Sequence, residues 1–177
     1  MRPGDKILLS GPIGDHGITI LLARGDLDLD ADLCSDTRSV LPLVEALAEA
    51  VGPAIHWMRD PTRGGVATSL NELARDCGLG IQLAEDRIPV CDAVRGACEL
   101  LGLDRFTSPV KDSSWPWSPR NSAGAALEAL RITPGGEAAV LIGEVDRQPA
   151  GAVLVTTLYG GSRIVDMLVG DPLPRIC

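Results

Sequence analysis

Apolar residues in this chain recur at two spacings. Ile7, Leu8 and Leu9 form a short continuous run closed by Gly11-Pro12, after which Ile18, Leu21 and Leu22 follow Asp15 at helical intervals. This predicts a strand, a turn and a helix capped by Asp15. Ser35-Asp36-Thr37 precedes Val40, Val44, Leu47 and Val51, and Gly52-Pro53 closes that helix. A strand is predicted over Ala54–Met58. It runs through Arg59-Asp60-Pro61-Thr62-Arg63-Gly64-Gly65 into a helix marked by Val66, Leu70, Leu73 and Cys77 and ended by Gly78. Further on, the pattern gives a strand at Ile81–Leu83, a helix from Val90 to Leu101 and another from Ala125 to Leu130. Strands follow at Ala138–Val145, Ala152–Leu158 and Arg163–Leu168, the last two joined by Tyr159-Gly160-Gly161-Ser162. Alternating elements of this kind imply an α/β or α+β layer fold, with helices packed on a mixed sheet.

At 177 residues and 45% hydrophobic content the chain suits one packed core rather than a multidomain machine. Its 16 basic and 24 acidic residues leave a net charge of −8, which repels a phosphate backbone and argues against a nucleic-acid partner. No apolar run approaches the ~20 residues of a membrane span and no signal peptide opens the chain, so a cytoplasmic protein without a membrane partner is expected. Cys34, Cys77, Cys91, Cys98 and Cys177 are odd in number and irregularly spaced, with only two histidines beside them. Neither a disulfide framework nor a metal site is indicated. Cys77 and Cys98 fall on apolar helix positions and read as core residues.

Two glycine turns carry the candidate chemistry. Asp60-Pro61-Thr62-Arg63-Gly64-Gly65 places a carboxylate, a hydroxyl, a guanidinium and two glycines at a helix N-terminus, where unpaired amides and the helix dipole favour an anion. A tight structural turn with Asp60 as cap explains the same residues equally well. Ser10-Gly11-Pro12-Ile13-Gly14-Asp15-His16-Gly17 repeats the logic and adds an imidazole, although a histidine so placed is more often a structural hydrogen bonder. His56, inside a predicted strand, reads as structural. The tail Gly170-Asp171-Pro172-Leu173-Pro174-Arg175-Ile176-Cys177 contains two prolines that exclude helix and central strand, so residues 169–177 should form an extended arm. A terminal thiol on such an arm suits an acyl carrier, since a thiolate is both nucleophile and leaving group.

One stretch departs from every pattern. Residues 105–121 (RFTSPVKDSSWPWSPRN) hold three of the five aromatics, Phe106, Trp115 and Trp117, with neither alternation nor helical period. A loop is expected there.

The segments SGPIGDHGITILLARG, MRDPTRGGVATSLNELA, GIQLAEDRIPV, VRGACELLGLD, AAVLIGEV and the terminal PLPRIC together resemble the C-terminal half of the HypE family of [NiFe]-hydrogenase maturation factors. The resemblance covers nearly the whole chain except residues 105–121. It implies the C-terminal module of the aminoimidazole ribonucleotide synthetase-like fold over residues 1–168, with 169–177 as a mobile tail and the family's N-terminal ATP-binding domain absent. It also implies an ATP- and Mg²⁺-dependent dehydration. The thiol matching Cys177 receives a carbamoyl group from HypF, the carboxamide becomes a thiocyanate, and its cyanide passes to iron on the HypC–HypD complex. Cys177 is then the catalytic carrier. Asp60, Thr62, Arg63, Gly64, Gly65, Asp15, His16 and Gly17 are the cofactor-binding candidates, and the family forms a homodimer.

The chain departs from the family pattern after Leu101-Gly102-Leu103-Asp104, where a Glu-Gly turn and an apolar strand are expected and Ser108-Pro109-Val110-Lys111-Asp112 stands instead. Back-translating Arg105–Asn121 and reading two nucleotides later yields IHVACEGQLVAVVAAE, which restores both features, so a compensated frameshift accounts for the stretch. A partial, inactive copy is therefore expected. A non-catalytic partner-binding module is the alternative from a different class, and a relative acting on another amide is a weaker third that the terminal PRIC opposes.

Overall fold

The first apolar run becomes β1 (Lys6–Leu9), and the helical spacings become α1 (Asp15–Arg24), α2 (Leu41–Val51) and α3 (Gly65–Cys77). After them come β2 (Gly80–Ala84), α4 (Asp92–Leu101), β3 (Trp117–Ser118), α5 (Ala123–Ile132), β4 (Val140–Asp146), β5 (Val153–Thr156) and β6 (Ser162–Ile164). The computed structural model describes residues 1–25, 33–62, 64–104, 106, 117–118 and 121–167. The strands form one mixed sheet in the order β3-β1-β4-β2-β5-β6. Among the described strands only β2 and β5 pair in parallel, with Ile81 opposite Val153 and Leu83 opposite Val155. The α/β layer expectation holds.

Strand alternation splits the core between the two faces of the sheet. Ile7, Leu9, Ile81, Leu83, Ile142, Val153 and Val155 meet Val66, Leu70 and Leu73 of α3 on one face. On the other, Leu8 and Leu141 meet Leu43 and Leu47 of α2 and Ala126 and Leu130 of α5. A third cluster joins Ile18 and Leu21 of α1 to Val94, Ala97 and Cys98 of α4. Burying a Leu such as Leu70 contributes about 1.5–3 kcal/mol, and its truncation to Ala would cost about 2–5 kcal/mol once the cavity is included.

Several expectations are corrected. Ala54–Met58 is not a strand: Gly52–Ala54 tightens into a 3₁₀ turn after α2, and Trp57 alone makes a bridge. The turn uses up the start of the segment and leaves too little extended chain to pair beyond that bridge. Residues 165–167 are irregular, so the last strand stops at Ile164. Helix α4 starts at Asp92 rather than Val90, because Cys91 is still extended as its N-cap. Asp15 does not cap α1: Gly14 takes that position at φ 92°, with no side-chain capping bond. Cys77 is only half-buried, whereas Cys98 is in the core. The unpatterned stretch is not wholly loop either. Phe106 is fully buried in the α3-face core, and the Trp117–Ser118 backbone pairs with Ile7 and Lys6 at the sheet edge.

Candidate functional site

The β1–α1 turn is built inward. His16, 5% exposed, sits in the first turn of α1, and its Nδ1 lies 2.8 Å from Ser35 Oγ. Ser35 Oγ is in turn 2.7 Å from Thr37 Oγ1. Sequence reasoning assigned Ser35-Asp36-Thr37 to the start of α2. That helix begins at Leu41, however, which leaves these hydroxyls to hold the imidazole. Gly17 is buried one residue on, inside the helix. Asp15 turns toward α4: its Oδ1 accepts the Cys91 thiol at 3.4 Å. Burial raises the Asp15 carboxyl above the usual carboxylate range, and the thiol's hydrogen bond offsets part of that rise. Burial likewise raises the Cys91 thiol, with the Asp15 charge adding to it, so Cys91 is held protonated and is a poor nucleophile.

Outside this turn lies a pocket of about 350 Å³ lined by Gly11, Pro12, Asp15, Cys34, Ser35, Asp36, Thr37 and Arg38. The Arg38 guanidinium is seated against two glycines. A Cβ on Gly135, which stands at φ +90°, would lie 2.8 Å from Arg38 Nη1, and one on Gly11 would lie 3.4 Å from Nη2. Arg38 went unnoticed in the sequence. The available signal was that helical spacing begins only at Val40, leaving the polar run from Ser35 to Arg38 unemployed by α2.

The α3 turn is built outward. Gly64 caps the helix at φ 65° and Gly65 follows at φ 61°. A Cβ on Gly64 would fall 2.1 Å from Thr68 Oγ1, so glycine is required there by both conformation and space. Asp60 and Thr62 are exposed, and no side chain caps the helix, which removes the reading of Asp60 as cap. Thr68 N–H makes the first intrahelical bond, to the Gly64 carbonyl at 3.2 Å, and Ala67 N–H donates to the Phe106 carbonyl at 2.8 Å. Gly65 and Val66 are buried beneath the turn, and Gly64, only partly buried, is the part of the helix N-terminus that reaches the surface. Arg63 lies outside the described residues, as do Cys177 and the 169–177 arm. The pocket beside α1 contains none of Asp60, Thr62, Gly64 or Gly65.

His56 is not in a strand. It follows the 3₁₀ turn, and its Nδ1 lies 2.7 Å from Oδ2 of the buried Asp5, which also accepts the Arg2 amide at 2.8 Å. That pair closes the N-terminal turn over the end of β4 and fits the structural role read for it. Among the described residues no group of His, Cys, Asp and Glu is arranged to hold a metal ion. No described helix is long and apolar enough to cross a membrane.

Residues 2–156 match the family model described as AIR synthase related protein, C-terminal domain. The chain belongs to that family. Within it, the chain is 49% identical over 176 residues to the carbamoyl dehydratase HypE of Azotobacter vinelandii, covering 99% of this chain and 51% of that protein. A solved HypE in complex with ATP superposes with a TM-score of 0.92 at 44% identity, covering 99% of this chain and 53% of that one. A solved HypE–HypF complex gives a TM-score of 0.89 at 39% identity, covering 95% and 54%. The chain thus spans about half the length of the HypE proteins it matches and corresponds to their C-terminal half. The AIR synthase-related module fits the sheet and helices described above.

Proposed function

We propose that this AIR synthase-related chain is the carrier half of an ATP-dependent carbamoyl dehydratase serving hydrogenase maturation. In the reaction, an S-carbamoyl group on Cys177 loses the elements of water to give a thiocyanate. ATP takes up the carboxamide oxygen as phosphate, leaving ADP and inorganic phosphate. The observation that carries the reading is the α3 turn. Gly64 and Gly65 hold it at positive φ, no described side chain caps the helix, and the helix N-terminus turns its positive field toward Gly64, which is only partly buried. This cradle fits a phosphoryl group, and Arg63 and Thr62 on the same turn are the residues to neutralise and bond it. HypF is the proposed carbamoyl donor, in keeping with the solved HypE–HypF complex, and HypC–HypD the proposed cyanide acceptor. Asp15, His16 and Gly17 are proposed to support the adjoining turn rather than to touch nucleotide, because His16 and Gly17 are enclosed and Asp15 is engaged by Cys91. Mg²⁺, where bound, would balance phosphate charge.

The chain alone is proposed to be inactive, since it carries half the length of the HypE proteins and residues 105–121 replace the family's Glu-Gly turn. The test follows the mass of a carbamoylated Cys177 with ATP and Mg²⁺ in the chain alone and in the chain joined to the N-terminal half of a HypE relative. No loss of water from the chain alone is expected, and dehydration restored by the joined half with residues 105–121 frame-corrected. Dehydration by the chain alone would show that the essential groups all lie within these residues.

A further inference from the structure

Beyond β6, the chain does not leave the domain at once; it runs along α3. Val165 donates its amide to Val153 at 2.9 Å, and its carbonyl accepts from Asn71 Nδ2 at 2.7 Å. Asn71 is 3% exposed, and the same Nδ2 also reaches the Ala67 carbonyl of its own helix at 2.9 Å. Val165 itself is buried in the α3-face core. One turn further along α3, Arg75 Nη1 lies 3.0 Å from Met167 Sδ. A second tie joins β6 to the start of the same helix. The Arg163 guanidinium bonds Asp104 through Nη1 at 2.7 Å and Nη2 at 3.3 Å, and stands 5.1 Å from the Phe106 ring centroid. Phe106 in turn lends its carbonyl to Ala67 in the first turn of α3.

Asparagine is a poor choice for the interior of a helix, and a buried amide is costly unless its donors are met. Leucine would fill the same space on a core-facing position. What asparagine supplies is a donor directed at the Val165 carbonyl, and that carbonyl belongs to the root of the arm. Met167 sits beside Arg75, about 15 Å along the axis from Gly65 at 1.5 Å per residue, so the root runs away from the Gly64–Gly65 turn and the chain beyond it must return. The ten residues from Met167 to Cys177 span at most about 35 Å when extended. That reach is about twice the separation. The local concentration of its thiol at the α3 turn then depends on where the root is fixed and which way it points.

We propose that Asn71 is a positioning residue that anchors the root of the carrier arm on α3, so that Cys177 and the Gly64–Gly65 turn are served by one helix. Arg75 and the Arg163–Asp104–Phe106 tie assist it. The role rests on the carrier reading above. The first arm of the test does not. Hydrogen exchange of the 177-residue chain is measured with Asn71→Leu and with Arg75→Ala, a surface change that serves if Asn71→Leu does not fold. The Val165–Met167 amides should exchange about tenfold faster in Asn71→Leu and a few-fold faster in Arg75→Ala, with β2 and β5 amides unchanged. Unchanged exchange at these residues in a folded variant overturns the anchor, and so does a uniform rise across the sheet.

The second arm uses the chain joined to a HypE N-terminal half, with residues 105–121 frame-corrected. It compares dehydration of carbamoylated Cys177 in cis with dehydration of a carbamoylated PLPRIC peptide supplied in trans to the Cys177→Ala form. The cis-to-trans ratio should fall about tenfold in Asn71→Leu and less in Arg75→Ala, because only the tethered thiol depends on the root. A merely structural role lowers both rates together and overturns the proposal. Dehydration with an unchanged ratio overturns the role alone, whereas no dehydration in the unsubstituted joined protein overturns the carrier reading and the role with it.

Discussion

The α1 and α3 turns begin from the same arrangement, glycines ahead of a helix, and end as opposite structures. At α1 the polar side chains are spent on the protein: His16 on Ser35, Asp15 on Cys91, and Arg38 wedged against Gly11 and Gly135. At α3 the backbone is fixed by Gly64 and Gly65, and the side chains of Asp60 and Thr62 face outward. The contrast shows that two glycine-rich helix starts can be held in opposite ways, one by side-chain bonds and the other by backbone conformation. Substitutions at the first turn should therefore appear in stability, and those at the second in ligand affinity.

His16→Ala breaks this contrast most severely. It empties a buried site and removes the imidazole's tie to Ser35, at a cost of about 3 kcal/mol in denaturant unfolding. Retained stability would mean that the turn is not interlocked. Gly64→Ala comes next, at about 2 kcal/mol, because the new Cβ meets Thr68 and φ is positive. Pairing it with Thr68→Gly should recover part of that loss by removing the clash, and no recovery would show the strain to be purely conformational. Arg63→Ala, in the chain joined to a HypE N-terminal half, should weaken nucleotide binding by about 1–2 kcal/mol by calorimetry while leaving unfolding unchanged. A stability loss without an affinity loss would make the α3 turn structural.

Asp15→Asn has the smallest effect, and it is set by pH. Burial raises the folded-state carboxyl, so ionising it costs stability. The native form is favoured below the unfolded carboxylate range and loses that advantage as pH rises through the raised folded value. Asp15→Asn should raise Tm at neutral pH, with the gain shrinking toward pH 3. A gain that grows on acidification contradicts burial as the cause. Thiol labelling sharpens the same region: iodoacetamide at neutral pH should modify Cys177 and the exposed Cys34 well before Cys91 and Cys98.

The layer fold was readable because its helices are amphipathic over two or more turns and end in glycines at Gly25, Gly52, Gly78 and Gly102, which occupy the C-cap positions. The strand expected at Ala54–Met58 failed because pattern cannot register that Gly52-Pro53 continues into a 3₁₀ turn. Phe106 was hidden for a different reason. It is a single core side chain in a segment without period, and its burial is decided by α3 and Arg163, which are distant in sequence. At the site, the glycines and charged types of both turns were legible. Which turn is satisfied by its neighbours was not, because Ser35 and Arg38 reach it across a long connection.

The strand order has a consequence for how the chain is made. Of the sheet's neighbours, only β5 and β6 follow one another in sequence; β1 waits for β3 and β4, and β2 for β4 and β5. During synthesis, residues up to 139 emerge with β2 unpaired on both edges and β1 able to pair only with the two-residue β3, because Val140–Asp146, which lies between them, has not yet left the ribosome. Such late, long-range closure is slow and leaves apolar strands exposed to aggregation while it is pending. Ribosome release shortly before residue 140 should therefore yield a chaperone client rather than a smaller folded domain.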